Sequence, residues 1–523
     1  MVTRPFRSRV FAVIWAATVA ANIGTWMYTA AAGWLMTSLS SDPLIVSLVQ
    51  VANNLPMFLF ALPAGALADI VDKRMLLLVV EIATTVVSFV FAALVWFGLV
   101  NPASLLFFVF LIGVGAALSA PPWQAIVPSL VPKDDLPAAV AVNSIGVNVS
   151  RAIGPALGGV LINILGIASP FVINGISNVG TIAALIWWRS PPSSARLPPE
   201  RFPNALRTGV RYAANNMALR ATLIRATAFF FFASAYWALL PLVARNQLRG
   251  GPELYGALLG AIGVGAICAI FVLGPLRKKV GTNRLVAIGT IGTATALVLF
   301  GLARTPAVAL AASLLAGICW LSALATLNVS AQFSIPNWVR GRGLAIYVTA
   351  FYGSMTVGSV VWGQLAGMVG LPATHFIAAA GALVAIPLTW RWKLQTGAGL
   401  DLTPSMHWPV PVITDEVEND RGPVVVTVEY LVLERDREPF LAAVGRLGHE
   451  RRRDGAYAWD ILEDVAQPGR FLETFRLESW LEHLYQHERV TNADRVLQAQ
   501  VDAFQLNGIP KVTHFISAEP GRD

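Results

Sequence analysis

Residues 75–99 read MLLLVVEIATTVVSFVFAALVWFGL, an unbroken apolar run with a single ionisable side chain, Glu81. A helix needs about 20 mostly apolar residues to cross the hydrocarbon core of a bilayer, and this run is long enough. The chain contains twelve such runs, near 10–35, 44–67, 75–99, 104–127, 138–165, 170–189, 222–246, 253–276, 284–303, 306–330, 344–369 and 371–391. The sequence therefore predicts twelve transmembrane helices.

The charged residues divide the chain into two parts. Of its 523 residues only 13% are charged, whereas soluble domains carry about 25%, so an ordinary soluble enzyme is excluded. Residues 1–395 carry 25 Lys+Arg and 8 Asp+Glu, and residues 396–523 carry 13 and 22. The net charge of +8 thus combines an apolar part of +17 with a polar part of −9. Because the basic residues lie between apolar runs, we do not expect nucleic acid as a partner.

The positions of the basic residues predict the orientation in the membrane. With the N-terminus inside, the inner segments hold 21 Lys+Arg and the outer loops hold three, and cytoplasmic loops are enriched in these residues. The outer three are Arg245, Arg249 and Arg304. We therefore predict a multi-pass protein of a bacterial-type inner (plasma) membrane with both termini cytoplasmic. The basic N-terminal residues followed by an apolar run resemble a signal peptide. The run is, however, too long for the apolar region of a signal peptide, so we expect it to be an uncleaved first helix.

The membrane part contains a weak internal repeat. Gly65 and Leu67 recur at an offset of 209 as Gly274 and Leu276. Three further residues, Gln124, Pro128 and Leu136, recur at an offset of 208 as Gln332, Pro336 and Leu344. This predicts an N-terminal six-helix bundle (1–190), a central cytoplasmic loop rich in Pro and Arg (191–221) and a C-terminal six-helix bundle (222–393).

The remaining chain predicts a linker at 394–422 and a separate domain at 423–517. Strands are expected at 424–433, 456–465, 470–477 and 511–517, an amphipathic helix at 436–453, and helical sequence at 479–506. This βαββαβ order is that of a ferredoxin-like α+β domain. The predicted fold class is thus an all-α membrane protein of twelve helices in two bundles, followed by a ferredoxin-like domain.

Ionisable residues within the spans are candidates for function, because a charge inside a membrane is unfavourable by about 3 kcal/mol or more. Arg151, in the fifth span, is the candidate substrate-binding cation, and a structural salt bridge to Glu81 or to a helix end is the alternative. Glu81 is the candidate proton carrier. Arg225 is expected to snorkel or to support packing. These residues predict a polar cavity within the membrane part, which amide side chains would complete. The candidates are Asn22, Asn53, Asn143 and Asn148, and the second span also contains Gln50 and Asn54.

A first motif joins the second and third spans and reads GALADIVDKR from Gly65 to Arg74. Gly65 is expected to let a neighbouring helix approach closely, and Asp69 to accept hydrogen bonds from a helix N-terminus. Together with Lys73 and Arg74, Asp69 would form a contact that stabilises one conformation of the protein and breaks in another. The alternative is an ordinary charged turn. The equivalent segment of the second half lacks an acidic residue, so the clasp is expected in the first half only.

A second motif in the fifth span reads GPALGG, with Gly154, Pro155, Gly158 and Gly159. Small residues allow helices to pack tightly, and proline can bend a helix. The alternative is plain helix packing without a role in transport.

These two motifs and the twelve spans resemble the major facilitator superfamily over about residues 10–392, most closely its enterobactin-exporter-like permeases. The first motif keeps the family's Gly65, Leu67, Ala68, Asp69, Lys73 and Arg74 but has Ile70 at a basic position and Asp72 near a glycine position. The second is similar to the family's antiporter motif, which is typical of exporters. The resemblance implies a secondary active transporter that works by alternating access.

The polar C-terminal part resembles dimeric α/β barrels of the antibiotic-biosynthesis-monooxygenase type over about 423–517. The resemblance rests on strand order and on Trp480, His483 and His487, and it implies a possible homodimer. The two histidines share a helical face and could ligate a metal or haem, but a solvated face is the expected role. The first strand lacks the Asn of haem-degrading relatives.

We therefore predict a proton-coupled efflux antiporter for a small polar or anionic, siderophore- or drug-like metabolite, with no cofactor and no metal site. Its expected partners are the small-molecule substrate and the lipid bilayer. The alternatives are a membrane-tethered monooxygenase-type enzyme and a transporter-like sensor regulated by the C-terminal domain. No ATP-binding loop, Gly-x-Ser-x-Gly nucleophile or His-Glu-x-x-His metal motif is present in the sequence, so these standard chemistries have no support.

Overall fold

The computed structural model describes residues 4–127, 130–188, 202–396, 401–403, 405, 408, 417–418, 421–506 and 508–518. In this part of the chain twelve helices are long and apolar enough to cross a membrane, which confirms the predicted number. The inner side of the molecule is defined as the side at which the first helix begins, which loop charge predicts to be cytoplasmic.

The first six membrane helices are α1 (Arg9–Leu39), α2 (Pro43–Ile70), α3 (Lys73–Trp96), α4 (Pro102–Ile126), α5 (Leu136–Leu165) and α6 (Ser169–Trp187). A shorter helix, α7 (Phe202–Asn215), follows. The second six are α8 (Met217–Leu242), α9 (Pro252–Val280), α10 (Thr282–Leu302), α11 (Pro306–Phe333), α12 (Arg340–Val369) and α13 (Leu371–Thr389). A π-helical turn extends α8 to Gln247.

Local sequence signals explain where several helices begin. The Asp42 side chain accepts a hydrogen bond from the Leu44 amide, 2.8 Å away, and proline occupies the first position of α2. Asn101 and Ser104 form a reciprocal capping box at α4. Asp72 accepts from the Met75 amide (2.8 Å) at the start of α3. Polar side chains thus satisfy amides that have no partner inside a helix.

Helix α7 lies within the segment that the sequence predicted as a loop. Its sequence, FPNALRTGVRYAAN, interleaves apolar and polar residues, so no apolar run marks it. Tyr212 and Ala213 are buried, whereas Val210 is exposed. The prediction of a loop over this segment is therefore wrong for α7, while residues 189–201 lie outside the described part.

The chain forms two compact units. The membrane unit comprises Met1–Glu200, Leu223–Val329 and Tyr347–Leu394, and the second unit comprises Arg201–Thr222, Ser330–Ile346 and Gln395–Asp523. The second unit therefore contains more than the predicted C-terminal domain. It also includes α7 and the connection between α11 and α12.

Within the second unit, the C-terminal residues form a ferredoxin-like domain. Its elements are β1 (Val424–Leu431), α14 (Arg437–Asp454), β2 (Ala458–Glu463), β3 (Arg470–Leu477), α15 (Trp480–Arg489), α16 (Asn492–Asp502) and β4 (Lys511–Ile516). The antiparallel sheet has the order β2-β3-β1-β4. The predicted order of elements is confirmed.

The helical segment predicted at 479–506 is two helices rather than one. Thr491 and Asp494 form a capping box that begins α16 directly after α15 has ended. Such a box stabilises a new helix start because each side chain satisfies an amide of the other residue.

The alternating residues Val424, Val426 and Val428 of β1 are buried and form the core with Phe440 and Val444 of α14.

Candidate functional site: a buried arginine and a polar cavity

Arg151 lies in α5 and is half-buried. Its guanidinium lies 5.2 Å from the ring centroid of Trp26 in α1. The buried Nε atom has no hydrogen-bond partner, and no ion pair joins Arg151 to Glu81 or to another acid among the described residues. The salt-bridge alternative thus has no support there, and the cation retains capacity to bind an anion.

Aromatic residues of the second bundle approach the same arginine. Tyr236 of α8 and Tyr352 of α12 both lie in the neighbourhood of Arg151. Trp320 of α11 packs on Tyr236 and Trp237, with ring centroids 6.4 and 5.4 Å away. The hydroxyl of Tyr236 and the indole nitrogen of Trp237 are buried and lie close to each other, and neither makes a hydrogen bond of good geometry among the described residues. The arrangement combines one cation with aromatic surfaces and hydrogen-bond donors, which suits an anionic or aromatic ligand.

Glu81 lies in a different place, a cavity of about 370 Å³ within the first bundle. The predicted residues Asn22 and Asn143 line the same cavity, and Trp123 of α4 lies beside the carboxylate. The cavity is near the inner end of the bundle, since its lining includes the first turns of α1 and the last turn of α4. The structure therefore brings Glu81, Asn22 and Asn143 together, whereas Arg151 does not line this cavity.

Three further amides line this cavity that the sequence analysis did not predict there, namely Gln124, Asn174 and Asn178. Asn174 and Asn178 are four residues apart on α6, and both are buried. The Asn174 amide donates to the Ser88 hydroxyl across 3.0 Å. Their spacing on one face of an apolar helix was the signal that could have identified them.

The other two predicted amides, Asn148 and Asn53, lie outside this cavity. The Asn148 amide donates to the backbone carbonyl of Ser144 on its own helix, at 2.8 Å. The backbone carbonyl of Asn53 lies 3.1 Å from where a Cβ on Gly113 would be, which places α2 tightly against α4. Neither residue lines the cavity that contains Glu81.

The second motif packs against helices of both bundles. Cβ atoms placed on Gly154 and Gly158 would lie 2.9 Å from the Ile23 carbonyl oxygen and 3.3 Å from the Met27 Cα of α1. A Cβ on Gly159 would lie 2.5 Å from the carbonyl oxygen of Pro252 in α9.

The contact between α5 and α9 is reciprocal. A Cβ on Gly256 of α9 would lie 2.5 Å from the carbonyl oxygen of Pro155. The missing side chains therefore permit close contact between the outer ends of the two bundles.

A polar contact adds to this closure on the outer side. The Arg245 guanidinium, at the end of α8, donates to the hydroxyls of Thr37 (3.0 Å) and Ser38 (2.8 Å) at the end of α1. It also lies 5.6 Å from the ring centroid of Trp34. One of the three outer basic residues is thus the centre of an outer clasp between the bundles, defined by Arg245, Thr37 and Ser38.

The first motif behaves differently from its prediction. Among the described residues no atom lies within 4 Å of a Cβ placed on Gly65, so the predicted close approach is absent there. Arg74 instead donates to the backbone carbonyls of Leu185 (2.7 Å) and Ile186 (2.8 Å) at the end of α6. A cation is favourable at a helix C-terminus, so Arg74 joins α3 to α6. The Asp69 side chain lies outside the described residues, and the half-buried Lys73–Arg74 pair begins α3.

Arg225 has a packing role, as one of its two interpretations predicted. Its guanidinium donates to the side-chain and backbone oxygens of Asn283 on α10, at 2.6 and 3.1 Å. The same Asn283 side chain accepts from the Leu394 amide (3.0 Å).

In the second unit, the prediction of a solvated face for His483 and His487 is wrong for His483. His483 is only 1% exposed and lies between α15 and the sheet, where it contacts His514 of β4. The burial follows from the position of α15, whose N-terminal Trp480 belongs to the domain core. The sequence could not show this contact, because His514 is far from α15 along the chain.

The same domain contacts the two inner connections of its unit. Arg211 of α7 donates to Glu482 of α15 across 2.7 Å, and both side chains are largely buried. Arg453 of α14 lies 5.9 Å from the ring centroid of Tyr212. Arg489 lies 4.7 Å from the ring centroid of Trp338, in the connection between α11 and α12. Cations over aromatic faces contribute attraction beyond simple packing.

The two connections also contact each other. The Tyr212 hydroxyl donates to the backbone carbonyl of Ser334 (2.9 Å), and the Asn216 amide donates to the same oxygen (3.1 Å). Contacts among α7, the connection after α11 and the C-terminal domain therefore form one continuous set.

The twelve helices, the inter-bundle motif and the half-buried cation of α5 define a secondary active transporter of the major facilitator type. A model of the transmembrane secretion effector family, MFS_3, matches residues 2–521. The chain belongs to this family, whose model covers both the membrane helices and the C-terminal domain.

Relatives and solved structures agree with this assignment. The chain is 24% identical to a staphyloferrin A transporter of Staphylococcus aureus, over 68% of this chain and 89% of that protein. It is 27% identical to the enterobactin exporter EntS of Citrobacter koseri, over 65% and 81%.

Among solved structures, a POT family transporter with a bound peptide conjugate gives a TM-score of 0.61 at 14% identity, covering 73% of this chain and 96% of that one. An inward-facing bacterial homologue of the lysosomal transporter Spinster gives 0.59 at 14% identity, covering 75% and 99%. At these identities the likeness shows the fold alone.

Proposed function

We propose that this transporter exports a small anionic, siderophore-like metabolite across the inner membrane, with both of its own termini in the cytoplasm. The observation that carries the proposal is Arg151, a cation within a membrane helix that has no acidic partner among the described residues. A charge within the membrane is energetically unfavourable, so the presence of one points to a function. The names of the relatives, an enterobactin exporter and a staphyloferrin A transporter, agree with this substrate class.

Arg151 would bind the anionic group, and the aromatic residues near it would contact the body of the substrate. Because Trp26 belongs to the first bundle and Tyr236 to the second, a bound substrate would contact both bundles. Rocking of the bundles about such a site would expose it alternately to each side of the membrane.

Glu81 would carry the coupling proton. It lies in a separate polar cavity with Asn22 and Asn143. Glu81 could therefore bind and release a proton while the substrate is bound at Arg151. Import of a proton would then drive export of the substrate.

The test of the substrate site is flux in proteoliposomes with enterobactin, staphyloferrin A and a neutral solute as candidate substrates. We expect transport of an anionic candidate by the native protein, loss of transport in Arg151→Ala, and partial retention in Arg151→Lys. The matched control is Arg225→Lys, which keeps a cation at a packing site and should transport normally. Normal transport by Arg151→Ala would overturn the assignment.

We also propose that the C-terminal domain regulates transport rather than catalysing a reaction. Its contacts with α7 and with the connection after α11 support this role, because α7 precedes α8 and that connection precedes α12 along the chain. Transport by residues 1–393 alone should differ in rate from transport by the whole chain. Equal rates would contradict a regulatory role, and turnover of a quinol or haem by the domain would favour the enzyme alternative.

Finally, we propose that the domain dimerises through the open face of its sheet. Phe515 and Leu462 are about half exposed, at 53% and 52%, on the sheet of this domain. Exposed apolar residues on a sheet are suited to pairing with a second copy. Light scattering of the purified protein should show a dimer that Phe515→Lys converts to a monomer, and an unchanged mass would contradict the proposal.

A further inference from the structure

The histidines of the C-terminal domain form a cluster that neither the family nor its relatives explain. His483 and His487 are separated by one turn of α15, and their ring centroids lie 4.7 Å apart. His514 of β4 completes the group, with its ring centroid 4.8 Å from that of His483. One nitrogen from each of the three rings can be chosen so that all lie within 4.8 Å of one another.

The strand register explains why His514 faces the helix. His514 lies opposite Val426 in the pairing of β1 with β4, and Val426 points into the buried core. Paired residues on neighbouring strands face the same side of a sheet. His514 is therefore directed to the side on which the core and α15 lie.

The ring of His483 is buried with little to satisfy its polar atoms. The side chain is 1% exposed, and although the Gln486 side chain lies close to the ring, no hydrogen bond of good geometry reaches Nδ1 or Nε2 from any described residue. Leaving a buried polar group unsatisfied is unfavourable by about 1–3 kcal/mol. A ligand that accepts an imidazole lone pair would remove this penalty.

We propose that His483, His487 and His514 form a binding site for a first-row transition-metal dication such as Zn²⁺. Tetrahedral coordination with bonds of about 2.1 Å requires ligand nitrogens about 3.4 Å apart, which small rotations of the side chains can supply. Three imidazoles with neither a thiolate nor a carboxylate favour Zn²⁺, Cu²⁺, Ni²⁺ or Fe²⁺ over Ca²⁺ or Mg²⁺. The partial exposure of His487 and His514 leaves a route for the ion to enter.

The site is next to the contact with α7. Glu482, the residue before His483, accepts the hydrogen bond from Arg211. A metal that fixes α15 would also fix this carboxylate, and metal occupancy would then alter the rate of transport. This consequence rests on the proposed regulatory role of the domain, whereas the metal site itself does not.

The experiment uses the full chain in detergent, purified without a polyhistidine tag and stripped of metal by a chelator. Zn²⁺ binding is measured by competition with a chromophoric chelator, and Co²⁺ binding by its visible ligand-field absorption. We expect one ion per chain, and about 100-fold weaker binding in His487→Gln and His514→Gln, because even outer-shell changes reduce affinity 10–100-fold. His449→Gln, which changes an exposed histidine of α14, is the matched control and should bind as the native protein does.

Thermal unfolding provides a second measurement that is independent of flux. Zn²⁺ should raise the Tm of the native protein and of His449→Gln but not that of His514→Gln, because a ligand stabilises only the state that binds it. The proposal is overturned by no binding at micromolar Zn²⁺ and Co²⁺, by equal affinity in the cluster variants, or by binding of haem without binding of either ion. If Zn²⁺ binds as expected but does not change flux, the metal site stands and the regulatory consequence fails.

Discussion

The guanidinium of Arg245 donates to the Thr37 hydroxyl across 3.0 Å, which joins the outer end of the second bundle to that of the first. The two residues are more than 200 positions apart in the chain, yet they close the side of the transporter opposite to the predicted cytoplasm. Arg245→Ala should therefore favour separation of the outer ends. Spin labels at Ser41 and Ala307, in protein lacking native cysteines, should show a larger population of long distances.

The control for this change is Arg304→Ala, which removes a basic residue from another outer loop. It should leave the distance distribution unchanged. If both variants, or neither, alter the distances, the outer clasp does not hold the bundles together.

The small residues of the second motif provide a steric test of the same closure. Gly159→Ala places a Cβ 2.5 Å from the Pro252 carbonyl oxygen, so α5 and α9 have to separate. Overpacking of this kind destabilises by about 1–3 kcal/mol, and transport should fall sharply. Gly180→Ala is the matched control, because no described atom lies within 4 Å of its added Cβ. Equal thermal stability and flux in the two variants would contradict the packing argument.

The proposed role of Glu81 predicts a selective defect. Glu81→Gln cannot release a proton, so export driven by a pH gradient should be lost. Exchange of labelled for unlabelled substrate without a gradient should persist, because the substrate site at Arg151 is separate. Glu253→Gln, at the start of α9, should retain both activities. Loss of exchange as well as of driven transport in Glu81→Gln would show that Glu81 is needed for more than coupling.

The contact between Arg211 and Glu482 predicts how firmly α7 is held. Arg211→Ala removes a charged, largely buried hydrogen bond, which is worth about 1.5–3 kcal/mol. Amide hydrogen exchange in α7 should become roughly tenfold faster or more, as 1.4 kcal/mol is a factor of ten. Arg220→Ala, an exposed basic residue on α8, should leave exchange in α7 unchanged. Unchanged exchange in Arg211→Ala would mean that this pair does not hold the helix.

Burial of His483 predicts a dependence of stability on pH. Its pKa is about 3 in the folded domain and about 6.5 in an unfolded chain, so between these values the unfolded state binds the additional proton. Folding stability should thus be lost as the pH falls from about 6.5, by up to about 1.4 kcal/mol per pH unit. Thermal unfolding of metal-free protein between pH 7 and pH 4 should show a smaller loss in His483→Asn than in the native chain. Parallel curves would show that His483 does not titrate in this way.

Much of the fold could be predicted from the sequence because its determinants are local. The length of the run that contains Glu81 identifies a span, and polar residues such as Asp42 and Asn101 mark where helices begin. Helix α7 and the division between α15 and α16 were missed, since an amphipathic helix has no apolar run and a capping box is a weak signal inside polar sequence.

The candidate site was predicted only in part. Arg151 and Glu81 stood out because ionisable residues are rare in membrane spans, and Asn22 and Asn143 do share a cavity with Glu81. Asn53 and Asn148 were indistinguishable from them by residue type, although neither lines that cavity. Gly65 likewise matched a motif whose predicted close contact is absent in the described residues.

The sequence by itself determined that the protein crosses the membrane twelve times and carries a ferredoxin-like domain, because apolar length, charge distribution and strand order follow from neighbouring residues. Only the tertiary structure decided which distant residues meet. It paired Gly159 with Pro252 and Arg245 with Thr37, and it brought His514 to His483. Each of these contacts depends on how separate helices and strands pack, and spacing along the chain carries no information about that.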